Sequence, residues 1–152
     1  MAESRIIVEH LSGARRGTRH EFATDATVRF GRHPDNEVPF HAHRDIDASS
    51  RHAELCVRDG RHVLRDVGSS NGTFVDGERV VEHVLEMGAS HIVDFGMDGP
   101  KVRVYLGDPE TIPPVPVPID VDRDITHRYL MAVAVLMILI VSLAVVAWMA
   151  LV

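Results

Sequence analysis

Three short segments of the sequence combine arginine, hydroxyl or amide side chains with glycine or histidine, and each lies where a run of apolar residues ends or begins. They are Phe30-Gly31-Arg32-His33, Ala48-Ser49-Ser50-Arg51-His52-Ala53 and Asp66-Val67-Gly68-Ser69-Ser70-Asn71-Gly72-Thr73. Loops from different strands can converge at one end of a β-sandwich. Together these segments would present a guanidinium, several hydroxyl groups and an amide, which suit a phosphate dianion and an extended peptide backbone.

Other kinds of chemistry find little support in the sequence. It has no Gly-rich phosphate loop with a lysine, no nucleophile elbow, no CxxC and no HExxH. His41 and His43 would place two imidazoles on one face of a strand, but two ligands are too few for a metal site and Arg44 would repel a cation. The net charge of −6 argues against a nucleic-acid partner. We therefore predict a non-catalytic binding protein without a metal or other cofactor.

The order and spacing of the three segments resemble forkhead-associated (FHA) domains. The family pattern is Gly-Arg, then Ser-x-x-His, then Asn-Gly-Thr, and here it reads Gly31-Arg32, Ser49-Ser50-Arg51-His52 and Asn71-Gly72-Thr73. The resemblance covers residues 5–106. One of these segments alone would be a weak signal, whereas all three in this order are highly specific.

The resemblance implies that six side chains contact a phosphothreonine peptide, and these are Arg32, Ser49, Ser50, Arg51, Ser70 and Asn71. Arg32 would bind phosphate oxygens, and Ser49 would donate its hydroxyl to the same phosphate. Asn71 would hold the peptide main chain beside the phosphothreonine, with Ser70 in the same loop. Ser50 and Arg51 fill positions that often assist in the family.

Three further residues would shape and brace the loops: Gly31, His52 and Gly72. Gly72 would provide a turn with positive φ, and His52 would be a hydrogen-bonded structural histidine. Other interpretations remain open, because Asn-Gly is also typical of a type I′ hairpin turn and Ser50 and Arg51 also fit a solvated turn. The segment between Val38 and Ser49 is long and histidine-rich for the family, which leaves the peptide preference open.

Residues 1–107 are predicted to form one all-β domain that positions these segments. Ten short candidate strands begin near residues 6, 18, 27, 37, 52, 62, 73, 79, 91 and 102, with turn signals such as Asp59-Gly60 and Asp76-Gly77 between them. No helical periodicity of convincing length precedes residue 125. The resemblance implies an FHA-type β-sandwich of about eleven strands.

The composition changes sharply after this domain. Residues 108–128 contain five prolines and an acidic run, which predict an extended spacer, although one PxxP spacing also fits a recognised ligand segment. Residues 129–152 carry no charge, and as a helix they would reach roughly 36 Å, enough to span a bilayer. We therefore predict one transmembrane helix over residues 129–152, with the lipid bilayer as a partner.

The flanks of the apolar block predict its orientation. Arg123 and Arg128 precede the block and no basic residue follows it, so residues 1–128 are expected on the cytoplasmic side of the membrane as in a tail-anchored, single-pass protein. The N-terminus lacks the charged-then-apolar pattern of an export signal.

The resemblance implies a phosphothreonine-binding module that recruits or senses proteins phosphorylated by a Ser/Thr kinase. The alternative is a phosphate-independent scaffold anchored in a membrane, because some FHA-like domains serve the assembly of secretion machinery. Those domains typically lack the phosphate-binding residues. Arg32, Ser49 and Asn71 are all present here, which favours phosphopeptide binding.

Overall fold

The computed structural model describes residues 3–112, which form eleven β-strands and one short 3-10 helix, Pro109–Thr111. The strands are β1 (Arg5–His10), β2 (Arg19–Ala23), β3 (Val28–Gly31), β4 (Val38–Pro39), β5 (Ala53–Arg58), β6 (Arg61–Asp66), β7 (Thr73–Val75), β8 (Glu78–Val80), β9 (Glu82–Leu85), β10 (Ser90–Phe95) and β11 (Lys101–Gly107). The predicted all-β fold with about eleven strands is confirmed.

The strands are arranged in two sheets. One sheet has the order β2-β1-β11-β10-β7-β8, and the other has the order β4-β3-β5-β6-β9. The pair β3–β4 is parallel, and the other strand pairs of the described residues are antiparallel. Four of the ten connections between consecutive strands cross from one sheet to the other: β2–β3, β6–β7, β8–β9 and β9–β10.

The core lies between the sheets and follows the alternation of the strands. Ile6 and Val8 of β1 are fully buried, as are Phe30 of β3 and Leu55 of β5. The ring of Phe95 stacks on that of Phe30 at a centroid distance of 5.1 Å. Burial of each such side chain contributes about 1.5–3 kcal/mol. Because a one-residue slip would expose these side chains, the core fixes the register and thereby the loops at the ends of the strands.

Two of the predicted tight turns are hairpins, and one is not. Asp59-Gly60 and Asp76-Gly77 have positive φ at both residues, as a type I′ turn requires. Gly72 has a φ of +84°, but Asn71 is not among the described residues with positive φ. Asn71-Gly72 also joins β6 and β7, which belong to different sheets. The type I′ hairpin interpretation of Asn71-Gly72 is therefore wrong.

The strand β9 has no counterpart among the ten runs read from the sequence. A single residue, Val81, separates β9 from the end of β8, and the sequence has no turn signal there. Yet β8 pairs with β7 in one sheet, whereas β9 pairs with β6 in the other. A local pattern cannot show that the chain changes sheet within a single residue.

The three predicted binding segments lie at the same end of the sandwich. Phe30 pairs with Ala53, and Ala53 pairs with Asp66, so the loops that follow β3, precede β5 and follow β6 are neighbours. The antiparallel pairing of β10 with β7 brings the loop after β10 to the same end. Strand β11 starts at this end and finishes at Gly107, at the opposite end.

The predicted linker begins with residues that pack on the domain. Asp108 caps the 3-10 helix, and the hydroxyls of Thr111 and Tyr105 lie 3.1 Å apart. Residues beyond 112, including the rest of the predicted spacer and the predicted transmembrane helix 129–152, lie outside the described residues. Within residues 3–112, none of the helical structure has the length and apolar character needed to span a bilayer.

Candidate functional site

Glycine is required at position 31 because two backbones meet there. Gly31 has a φ of +155°, and a β-carbon at this position would overlap the carbonyl oxygen of Ser50 and lie 2.9 Å from that of Ser49. The close approach allows the Arg32 N–H to donate to the Ser49 carbonyl oxygen at 3.0 Å. Gly31 therefore lets the loop that carries Arg32 join the loop that carries Ser49.

Arg32 is half-buried, and its guanidinium is held by two backbone carbonyls. Nε donates to the Ala48 oxygen at 2.6 Å, and Nη1 donates to the Ala42 oxygen at 2.8 Å. A guanidinium has five N–H donors, so three are left without a partner among the described residues. The charge is thus held in position with three donors unused, which would suit an anion.

His52 joins two of the three loops. Its ring is fully buried; Nδ1 accepts from the Ser49 N–H at 3.0 Å, and Nε2 lies 3.0 Å from the Gly72 carbonyl oxygen. These partners require the neutral tautomer with the proton on Nε2. Burial lowers the pKa of His52 and outweighs the opposite effects of the Gly72 carbonyl and Asp66. The ring therefore stays neutral and ties Ser49 to Gly72.

The hydroxyl of Ser49 accepts one hydrogen bond, and its own hydrogen has no acceptor among the described residues. Its oxygen accepts a hydrogen bond from the Ser70 N–H at 3.0 Å, which links the second loop to the third. The hydroxyl hydrogen remains available to a ligand oxygen. Ser50, Arg51 and Ser70 are exposed at the edge of the same surface. The carbonyl of Ser50 is held from below by the Asn36 amide at 2.9 Å.

Asn71 extends from the third loop towards the second. Its Nδ2 donates to the Asp47 carbonyl oxygen at 2.9 Å, and the side chain is otherwise exposed. One amide hydrogen and the amide oxygen are left for a ligand. An asparagine in this state can donate to and accept from one peptide unit.

Asp66, which the sequence analysis did not single out, shapes the loop of Ser70 and Asn71. Its carboxylate accepts from the N–H groups of Gly68 and Ser69 at 2.8 Å each and from the Ser69 and Thr73 hydroxyls. Partial burial raises the pKa of Asp66, but these hydrogen bonds outweigh it and lower the pKa to about 2. The sequence signal was an aspartate followed by serine and glycine, which is typical of a side-chain-capped turn.

Asp45 anchors the histidine-rich loop in a similar way. It is buried, and its carboxylate accepts from the Ala14 N–H at 3.0 Å and from the His41 N–H at 2.8 Å. This loop supplies the Ala42 carbonyl that holds Arg32. The Arg44-Asp45 pair was visible in the sequence, but its buried anchoring role was missed.

The histidines of this loop do not assemble a metal site in the described part of the chain. The rings of His41 and His43 are 6.3 Å apart. Within residues 3–112, no group of three or more potential His, Cys, Asp or Glu ligands has the geometry to hold a metal ion.

Comparisons with known proteins show which proteins this chain resembles. Residues 28–96 match the family model of the FHA domain. This part of the chain is therefore similar to an FHA domain. The crystal structure of an FHA domain from Mycobacterium tuberculosis has a TM-score of 0.55 and 26% sequence identity, and the alignment covers 70% of this chain and 99% of that one.

Two bacterial regulatory proteins are similar over part of their sequence. The glycogen accumulation regulator GarA of Mycolicibacterium smegmatis is 42% identical over 62 residues, which are 41% of this chain and 37% of the relative. The oxoglutarate dehydrogenase inhibitor of Corynebacterium efficiens is 39% identical over 62 residues, 41% of this chain and 42% of the relative. The chain thus covers only about two-fifths of the length of either relative.

Proposed function

We propose that this FHA domain binds phosphothreonine peptides without catalysing a reaction. The observation that carries the proposal is the convergence of Arg32, Ser49 and Asn71 with donors still unused. Arg32 and Ser49 are joined by a backbone hydrogen bond of 3.0 Å, and Asn71 is tied through its amide to Asp47 of the same loop as Ser49. A phosphate and the adjacent peptide unit together could accept these donors.

The ligand must carry negative charge to complement the positively charged guanidinium of Arg32. A phosphate group carries about −1.5 to −2 charges at neutral pH and offers three strong acceptor oxygens. Each hydrogen bond between such a charged group and the protein is worth roughly 1.5–3 kcal/mol net. A few of them, less the cost of ordering the peptide, correspond to a Kd near micromolar, about −8 kcal/mol.

The relatives support a regulatory role that works through binding. One is named a regulator and the other an inhibitor, and each is similar to this chain over 62 residues. We therefore propose that the chain recruits or senses a protein that a Ser/Thr kinase has phosphorylated.

A phosphothreonine peptide is expected to bind with a Kd near micromolar, and its unphosphorylated twin at least about a hundredfold more weakly, because the twin leaves the Arg32 donors without an anion. Titration calorimetry with both peptides, selected first from a phosphothreonine library, measures the difference. Equal affinities would reject the phosphate site and leave the phosphate-independent scaffold as the function.

We also propose that the domain is tethered to the cytoplasmic face of a membrane. The proposal rests on the uncharged stretch 129–152 and on the arginines that precede it, Arg123 and Arg128. Protease added to intact spheroplasts is expected to leave the FHA domain uncut, whereas the same protease after detergent lysis should digest it. Cleavage of the domain in intact spheroplasts would reverse the orientation, and recovery of the chain in the soluble fraction would reject the tether.

A further inference from the structure

A shallow groove adjoins the proposed phosphate site on the side of the five-stranded sheet. It has a volume of about 180 Å³ and is lined by Arg29, Asn36, Arg51, Ala53, Glu54 and Val67. Arg51 lies two positions after Ser49 in the same loop, and Val67 opens the loop that carries Asn71. A peptide bound across Ser49 and Asn71 would therefore lie close to this groove.

Most charges around the groove are neutralised by partners within the domain. Arg29 makes a two-pronged pair with Glu37, with Nε–Oε2 and Nη2–Oε1 distances of 2.9 Å and 2.7 Å. These hydrogen bonds from Arg29 lower the pKa of Glu37 to about 2, so the pair stays charged at neutral pH. Glu54 is paired with Arg65 through a single Nη2–Oε1 contact of 2.5 Å.

Arg51 differs from these residues. It is exposed and forms no hydrogen bond or ion pair with any other residue of the range 3–112. The groove therefore carries one uncompensated positive charge, at its rim. A carboxylate placed there would gain a partner without displacing an existing one.

Two other residues that line the groove, Val67 and Asn36, are held by hydrogen bonds, and Val67 is apolar. Val67 is 40% exposed, and its N–H donates to the His52 carbonyl oxygen at 3.0 Å. Asn36 is buried and uses its amide group on the carbonyls of His33 and Ser50. Asn36 is thus a fixed wall with no amide hydrogen to spare, whereas Val67 offers a surface for methylene groups.

We propose that this groove is a specificity subsite that takes an acidic side chain of the bound peptide, with glutamate preferred. Its carboxylate pairs with Arg51, and its two methylene groups rest on Val67. The groove adjoins the loop of Ser49 through Arg51 and the loop of Asn71 through Val67. The inference rests on the phosphopeptide function proposed above.

The test uses the full chain in mild detergent and a set of phosphothreonine peptides that are otherwise neutral. Each peptide carries one glutamate or one lysine at one of the three positions on either side of the phosphothreonine. At one position, glutamate is expected to bind about fivefold more tightly than lysine, the size expected for a partly exposed ion pair. Arg51→Glu should reverse this order at that position and leave the other positions unchanged.

The matched control is Arg61→Glu, which makes the same change at an exposed arginine of the hairpin between β5 and β6, at the opposite end of the sandwich. It should keep the wild-type preference. If Arg51→Ala weakens every phosphopeptide by one factor, Arg51 binds the phosphate and the subsite is rejected; if it changes nothing, the subsite is rejected as well. Equal binding of unphosphorylated peptides would instead reject the proposed function itself, whatever residue stands beside the threonine.

Discussion

Arg32→Ala is expected to lower the affinity for a phosphothreonine peptide by about 2–4 kcal/mol, a factor of roughly 30 to 1,000. The change removes three unused N–H donors together with the charge. It also leaves the carbonyls of Ala42 and Ala48 without the side chain that holds them, so the surrounding loop loses part of its order. Titration calorimetry with one phosphopeptide measures the loss.

Arg32→Lys should recover only a small part of the affinity, because an ammonium group cannot bind two carbonyls and a phosphate with the geometry of a guanidinium. Arg61→Ala, at the far end of the domain, is the control for a general loss of positive charge and should bind like wild type. A normal affinity of Arg32→Ala would exclude Arg32 as the phosphate contact.

Acidification from pH 7 to pH 5 is expected to lower the free energy of unfolding by about 2 kcal/mol through His10 alone. His10 on β1 is 2% exposed, and neither ring nitrogen has a hydrogen-bond partner among the described residues. Its ring meets those of His20 and Phe40 at centroid distances of 5.4 Å and 5.8 Å. A proton on His10 would therefore place a charge in an apolar site.

The sign of the effect follows from the two states of the chain. Burial, with help from His20 and Arg15 and against the opposite effect of Asp45, lowers the pKa of His10 to about 4. Unfolded His10 binds its proton near pH 6.5, so the unfolded state gains protons first as the pH falls. The stability is complete above pH 6.5 and is lost progressively down to about pH 4. Burial also lowers the pKa values of His20 and His52, which adds to the loss.

Urea unfolding of residues 1–113, a compact unit of the chain, at pH 7, 6 and 5 measures the slope. His10→Leu should flatten the slope by about 2 kcal/mol over this range, because leucine fills the site without binding a proton. His43→Gln, at an exposed histidine, should leave it unchanged. An unaltered slope in His10→Leu would mean that water reaches the ring and that its burial does not control the titration.

The part of the site that could be predicted from the sequence is the part where one residue type is required. Only glycine fits at position 31, since any side chain would overlap the Ser50 carbonyl. A residue that accepts at one atom and donates at another from a buried position, as His52 does, is also hard to replace. Because the geometry admits only one residue type at such positions, their residue types and spacing can be recognised in the sequence.

Two of the anchors that were missed, Asp45 and Asn36, bind backbone groups. Asp45 accepts from the N–H of Ala14, 31 positions away, and Asn36 donates to the carbonyl of Ser50. Every residue other than proline offers the same N–H and every residue the same carbonyl, so the partner leaves no mark in the sequence. The contacts become visible only when the topology has brought the loops together.

The two carbonyls that hold Arg32 would also affect the rates at which the proposed site binds and releases a ligand. The guanidinium is already in place before a ligand arrives, so association need not wait for the arginine or its loop to become ordered. With an association rate constant of about 10⁶ M⁻¹ s⁻¹, a micromolar Kd corresponds to a complex that lasts about one second. A prearranged arginine would let the proposed site release a phosphorylated partner within about a second, so that its occupancy would follow the current level of phosphorylation.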